Sequence, residues 1–188
     1  MPVIVEVNGY DFVGKDYVIQ KIVAEHPTIF RAPRVSELFL PKTTLEERIA
    51  FYREMSADKY AEFHLRCHVV VNQIALNMKN EGRSIIINRG YNIVIADTIT
   101  KYMLRSRTFD DALASTEEWC QTIGFQQIGD CIVNLDLQGT IEEVMNIVGV
   151  ITFGRKGNAQ VQVTQGTSTA VNTTFYDESF LTAWRIPV

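Results

Sequence analysis

Val3-Ile4-Val5-Glu6-Val7-Asn8-Gly9-Tyr10-Asp11-Phe12-Val13-Gly14-Lys15-Asp16 is the stretch on which the fold turns. An apolar-alternating run, a turn bounded by Gly9 and Gly14, and a helical pattern beginning near Tyr17 read in order as strand, loop and helix. That order makes a phosphate cradle. Backbone N–H groups around Gly14 and Lys15 point at a polyphosphate, the helix N-terminus adds partial positive charge, and the Lys15 ammonium, on an exposed loop, reaches the β and γ phosphates. The spacing fits G-x-x-x-x-G-K-[ST] except at its end, where Asp16 replaces the hydroxyl that ligates Mg²⁺. A carboxylate also holds Mg²⁺, directly or through water, while setting a negative charge beside the phosphates. The plain alternative is a turn shaped by two glycines, with Lys15 and Asp16 as first-turn charges.

The 188 residues fit one domain with a sizeable core, and 46% hydrophobic residues agree with a globular chain. A net charge of −4 gives no general attraction to nucleic acid. Cys67, Cys120 and Cys131 are too few and too scattered for a disulfide framework or a zinc knuckle. They read as free thiols, with Cys67 and Cys131 in the core. No signal peptide or membrane-length apolar run is present, so the expected setting is intracellular, with no membrane partner.

Gly9, Asp11, Gly14 and Lys15, in the pattern Gly-x-Asp-x-x-Gly-Lys, resemble the start of thymidylate kinases and related nucleoside monophosphate kinases of the P-loop superfamily. The Gly-Lys-Asp ending is similar to the variant P-loops of some phage deoxynucleoside monophosphate kinases and of animal phosphomevalonate kinases. The resemblance implies ATP held by Gly9, Tyr10, Phe12, Val13, Gly14, Lys15, Asp16 and Tyr17, with Asp11 holding the acceptor.

Further along, Val18, Ile19, Ile22 and Val23 have helical spacing up to Glu25, and Pro27 closes that helix. A short strand follows through Thr28-Ile29-Phe30. Arg31-Ala32-Pro33 resembles the Arg-x-Pro after the second strand of thymidylate kinases, where the arginine frames the monophosphate site; a surface turn is the alternative. Thr44 and Glu47 have capping-box spacing. From Ala57 to Asn80 a long helix carries Phe63, Cys67, Val70, Ile74 and Met78, or neighbours, toward a core, and Gly82 stops it. His64 and His68, one turn apart, read as a polar face rather than a metal pair, because no further ligand follows in a recognised pattern. Phe63 and Arg66 lie where thymidylate kinases place a Phe and an Arg against the base and phosphate, though at a different separation. The alternative is a core ring and a solvated cation.

Ser84-Ile85-Ile86-Ile87 is a continuous apolar strand of the kind buried on both faces of a parallel sheet. It ends at Asn88-Arg89-Gly90-Tyr91, and ligands gather beyond the carboxyl ends of such strands. This segment resembles the Asp-Arg-Tyr or Asp-Arg-Gly of thymidylate kinases, whose arginine binds the acceptor phosphate, with Asn88 in place of the aspartate. The resemblance therefore names Arg89 and Tyr91 for the acceptor, and Asp16 with Asn88 for the metal, the carboxylate having moved from strand end to loop.

Ile93 to Met103 continues as a helix. Arg105 and Arg107 cap its end, and Thr108 to Ile123 forms another amphipathic helix, with Trp119 packed. Cys131 to Leu137 reads as the next core strand and Thr140 to Val148 as its helix. Past Val148 the likeness weakens: Gly154-Arg155-Lys156-Gly157 is the only basic lid candidate, and residues 158–174 read as a hairpin or loop. Phe175 to Trp184 fits a post-lid helix, and Ile186-Pro187-Val188 falls where a last strand would begin.

The expected architecture is therefore an α/β, three-layer P-loop kinase fold over residues 1–188. It has a mostly parallel central sheet of strands near 3–8, 28–31, 84–88 and 131–136, helices on its faces, and an atypical lid or loop at 149–174. The resemblance implies ATP- and Mg²⁺-dependent phosphoryl transfer to a deoxynucleoside monophosphate, a pyrimidine by preference, in a chain of phage type. Catalysis falls to Lys15, Asp11, Arg89 and a lid arginine, Arg155. It also implies a nucleotide partner and a homodimer as the common assembly. The rival readings are a kinase acting on a modified pyrimidine in DNA and a nucleotide-binding protein without catalysis.

Overall fold

Ile85 and Ile86 are fully buried and Ile87 is 1% exposed, because the strand that carries them, β3 (Ser84–Asn88), lies inside a sheet with a neighbour on each side. The computed structural model describes residues 1–9, 15–135 and 162–165. Within them the chain runs β1 (Ile4–Gly9), α1 (Lys15–Glu25), β2 (Ile29–Arg31), α2 (Val35–Phe39), α3 (Leu45–Glu54), α4 (Ala57–Asn80), β3, α5 (Tyr91–Met103), α6 (Phe109–Ile123), β4 (Cys131–Leu135) and β5 (Gln162–Gln165). Tyr10, Asp11, Phe12, Val13, Gly14 and Arg155 lie outside the described residues, as do the expected helices at 140–148 and 175–184 and most of the lid segment.

Strand order is β2-β3-β1-β4-β5. The first four strands run parallel, with Val7 opposite Asn88, Gly9 opposite Leu135 and Arg31 opposite Ile86. The class is α/β, with helices flanking a parallel sheet. Gln162–Gln165, inside the stretch read as hairpin or loop, instead pairs antiparallel with β4 at the sheet edge.

Two compact units divide the described chain. The first holds Met1–Ala32, Asn72–Ile93 and the chain from Gln127 through β4 and β5; the second holds Pro33–Val71 and Val94–Gln126. In the first, α1 packs on β1, β2 and β3, burying Ile19 and Ile22. Lys79 reaches Asp130 at 2.6 Å, and Asp130 in turn accepts from Ile4 N at 2.7 Å, fastening the chain ahead of β4 to the start of β1.

The second unit is helical. Its α3 begins with the expected capping box, Thr44 Oγ1 accepting from Glu47 N and Glu47 Oε2 from Thr44 N. Leu65 and Val71 of α4, Ile99 and Tyr102 of α5 and Ala112 of α6 form its core. Thr98, Thr100 and Thr116 enter that core because each hydroxyl donates to the carbonyl four residues earlier, at 2.8 Å.

The α4 stripe is rotated from the expected one. Val70 is 43% exposed, whereas Ala61, Leu65, Cys67, His68, Val71 and Ala75 face inward. His64 and His68, expected on a polar face, are 6% and 4% exposed. They sit in a ring series: Tyr60 stacks on His64 at 4.9 Å, His64 meets His68 edge-on at 4.8 Å, and His68 meets Phe125 at 6.3 Å. An imidazole is flat and only half polar, so stacked and edge-on aromatic neighbours let it replace an apolar side chain.

Candidate active site

Parallel pairing brings the carboxyl ends of β1 and β3 side by side, and α1 begins at Lys15. Lys15 is 6% exposed and is already helical, not the exposed loop residue that the sequence suggests. Burial raises the value of its charge to any anion nearby, since the screening by water is reduced. Asp16 follows in the first turn, where a carboxylate is favoured by the helix dipole.

Asn88, the last residue of β3, donates through Nδ2 to Asp16 Oδ1. The two residues that the sequence names for a metal are thus in direct contact. Asn88 Oδ1 is buried and has no hydrogen-bond partner among the described residues. A buried amide oxygen beside a carboxylate is a hard-oxygen pair, which suits Mg²⁺ or one of its bound waters. Among the described residues no group of three or more His, Cys, Asp or Glu stands ready to hold a metal, so such an ion would take its remaining ligands from water and phosphate.

Arg89 comes next, with φ +75° in the left-handed region. For a residue with a Cβ this conformation costs about 1–2 kcal/mol. It is held by Arg89 N donating to Val7 O at 3.1 Å. Arg31 stands half-buried at the carboxyl end of the adjacent β2. Tyr91 is the first residue of α5, and its N–H donates to Glu6 Oε2 at 2.8 Å. Tyr17 is half exposed, with the Lys21 ammonium 5.9 Å from its ring.

Glu6 and Asn8 were not singled out by the sequence, where they pass for the polar phase of an alternating strand. Both are buried, at 1% and 0% exposed. The readable signal is that a central strand of a parallel sheet has no wet face, so a carboxylate there must be met by protein donors. Glu6 Oε1 accepts from Ile128 N at 2.9 Å and Gly129 N at 2.8 Å. Burial pushes its carboxyl above the ordinary 4.5, and the backbone donors from Tyr91, Ile128 and Gly129 offset part of that rise.

The remaining candidates lie in the second unit. Phe63 packs edge-on against Phe51 at 5.5 Å, and Arg66 pairs with Glu62 at 3.1 Å on the surface. Arg105 donates to Arg53 O at 3.4 Å, while Arg107 donates to Ser115 Oγ at 2.6 Å and lies over the Tyr102 ring at 4.7 Å. Both border an open groove of about 490 Å³ with Glu54, Ser56, Ala57 and Asp58. Trp119 is half-buried. The cysteines are unlike nucleophiles: burial pushes Cys67 up to about 11 and Cys120 up to about 12, keeping both as thiols. Cys131, half-buried rather than core, is also raised, by burial and then by Asp130.

Compared with known proteins, the chain matches no protein-family model and no curated sequence. No helix among the described residues is long and apolar enough to cross a membrane.

Proposed function

We propose that this chain is a P-loop kinase of the thymidylate kinase type, transferring the γ-phosphoryl group of ATP to a deoxynucleoside monophosphate, with a pyrimidine preferred. The observation that carries the reading is the contact between Asn88 and Asp16, beside a buried Lys15 and one residue before Arg89. A carboxylate, an amide oxygen and two cations thereby belong to the carboxyl end of one parallel strand, β3, and the first turn of one helix, α1, and strand ends of this kind are where phosphate chemistry is handled in open α/β sheets.

Phosphoryl transfer needs little covalent help from the protein; it needs positioning and charge stabilisation. Lys15 stabilises the negative charge on the transferring group. Asp16 and Asn88 would hold Mg²⁺, which when bound neutralises charge on the phosphate oxygens. Arg89 grips the acceptor phosphate with a bidentate fork, and Arg31 on the next strand adds a second guanidinium. Asp11 orients the acceptor and Arg155 closes the lid in this reading.

The test is a phosphoryl-transfer screen with ATP and Mg²⁺ against common nucleoside monophosphates and against DNA carrying modified pyrimidines, with ATP binding measured with and without Mg²⁺. Asp16→Asn should weaken Mg²⁺·ATP by roughly tenfold or more and leave metal-free ATP nearly unchanged, because the variant site keeps only neutral oxygens. Turnover on DNA alone would move the acceptor from the free nucleotide to the polymer. No turnover on any acceptor, together with tighter ATP binding by Asp16→Asn regardless of Mg²⁺, would overturn the kinase reading.

A further inference from the structure

Glu6 takes no part in the chemistry proposed above, yet its two oxygens bind the backbone of two separate segments. Oε2 accepts from Tyr91 N, the first residue of α5, and Oε1 accepts from Ile128 and Gly129 N ahead of β4. Two residues on, and so on the same face of β1, Asn8 Oδ1 accepts from Ile93 N at 3.2 Å. These acceptors meet the opening amides of α5, which no carbonyl of that helix can reach.

Between them the chain passes through Gly90. A Cβ at Gly90 would lie 2.5 Å from Glu6 Cβ, 2.7 Å from Glu6 Oε2 and 3.0 Å from Asn8 Oδ1. Its φ is not in the left-handed region, so glycine is required here by space alone. Arg89, immediately before, carries the strained φ of +75°. The β3–α5 turn is therefore fastened at both ends: Arg89 N to Val7 O on one side, Tyr91 N and Ile93 N to Glu6 and Asn8 on the other. Every one of these anchors belongs to β1, the strand that precedes Lys15 and α1 in the chain.

If α5 needed only a cap, a Ser or Asp at its own N-terminus would suffice. A cap supplied by β1 does something more, because it ties the strand feeding Lys15 to the turn that carries Arg89. We infer that Glu6, assisted by Asn8, is a positioning residue that holds the Arg89 turn in register with β1 and so sets how well the acceptor phosphate is gripped. The inference rests on the function proposed above for what Arg89 binds. Transfer between two phosphates tolerates little misplacement, and a shift near 1 Å costs up to about 10²-fold.

Glu6→Gln tests it. The amide keeps the volume but sets an NH₂ against one of the backbone donors. Kinetics of the wild type, Glu6→Gln, Arg89→Ala and the double variant are compared with a pyrimidine deoxynucleoside monophosphate and with ATP varied in turn. Glu6→Gln should raise the acceptor KM roughly tenfold, leave the ATP KM within about twofold, and add nothing to Arg89→Ala. A role in folding alone predicts equal effects on both substrates and additivity with Arg89→Ala; either result overturns the inference.

Amide exchange is read alongside, because it needs no turnover. Arg89, Tyr91 and Ile93 N–H should exchange roughly tenfold or more faster in Glu6→Gln. Unchanged protection sinks the positioning role whatever reaction the chain performs. If the wild type turns over no acceptor, the proposed reaction falls, and exchange at Arg89 alone decides whether Glu6 holds the turn. Should Glu6→Gln not fold, Gly90→Ala drives a Cβ into the same contact while keeping every acceptor, and the same outcomes are expected.

Discussion

The turn after β3 and the outer face of α4 each carry an arginine that the sequence offers to a phosphate, and they hold it in opposite ways. Arg89 is set by its strained backbone, by Val7 O beneath it and by the glycine that follows. Arg66 has a side chain 61% exposed and, among the described residues, pairs with Glu62 on its own helix. An exposed pair of that kind contributes about 0.3–0.5 kcal/mol. The first arrangement accepts a cost in stability to fix one stretch of backbone, and strain of that kind clusters at functional sites. The second ties the guanidinium only to its own helix surface. The contrast teaches that matching a motif by residue type is weaker than matching it by how the backbone is constrained.

The largest expected effect asks whether the strand-end region carries the chemistry at all. Lys15→Ala should lower kcat by about 10² or more, the scale for removing a buried electrostatic stabiliser of a transition state. Circular dichroism should show a folded protein, since the substitution trims one side chain in the first turn of α1 and leaves the helix backbone unchanged. Turnover close to wild type in that folded variant would break the assignment of this region.

Next comes the comparison of the two arginines itself. A charge-assisted hydrogen bond is worth about 1.5–3 kcal/mol, so Arg89→Ala should raise the acceptor KM roughly 10- to 100-fold. Arg66→Ala should change it by less than about twofold. Arg89→Gly sharpens the point, because glycine adopts φ +75° without the Cβ penalty. It should bind acceptor as poorly as Arg89→Ala while being at least as stable as wild type in thermal unfolding. A large acceptor defect in Arg66→Ala, or a destabilised Arg89→Gly, would erase the distinction.

Much of the frame is legible in the sequence, for reasons that can be named. An uninterrupted Ile85-Ile86-Ile87 has only one use in an α/β chain, burial on both faces, and α4 runs from Ala57 to Asn80 as its periodicity and Gly82 indicate. The Thr44 and Glu47 cap is local chemistry and needs no tertiary knowledge. Asp16 and Asn88 are brought into one argument by the resemblance to thymidylate kinases, not by any pattern in the residues themselves, and the two do touch. What stays hidden depends on partners distant in sequence. Glu6 becomes a fastening only when Tyr91 and Gly129 arrive beside it, over 80 residues away. His68 looks polar until Phe125 arrives against it. The pairing of β5 with β4 is likewise a long-range choice that the four residues Gln162–Gln165 do not announce.

The contrast between buried and exposed anchoring recurs within the first unit, between Glu6 and Asp130, and pH resolves it with the smallest expected effect. Glu6 titrates above its ordinary range because burial outweighs its backbone donors. The native state therefore keeps that proton longer than the unfolded chain does, so the stabilisation is full below about 4.5 and is lost as pH rises through the native value. Asp130 behaves oppositely. Burial raises its carboxyl, but the bonds from Lys79 and Ile4 outweigh this together and hold it below the ordinary 3.8. Its stabilisation is present above 3.8 and is lost as pH falls through the native value. The Asp130 side chain is 38% exposed and that of Lys79 28%, so water screens the pair and about 1 kcal/mol or less is expected. Asp130→Asn keeps an acceptor for Ile4 N and removes only the charge. In urea unfolding the variant should be weaker than wild type by that amount at pH 7, and the gap should shrink as pH falls below 3.8. A gap that stays constant or widens on acidification would mean that Asp130 acts through shape and not charge, and the exposed anchor would then be no different in kind from the buried one.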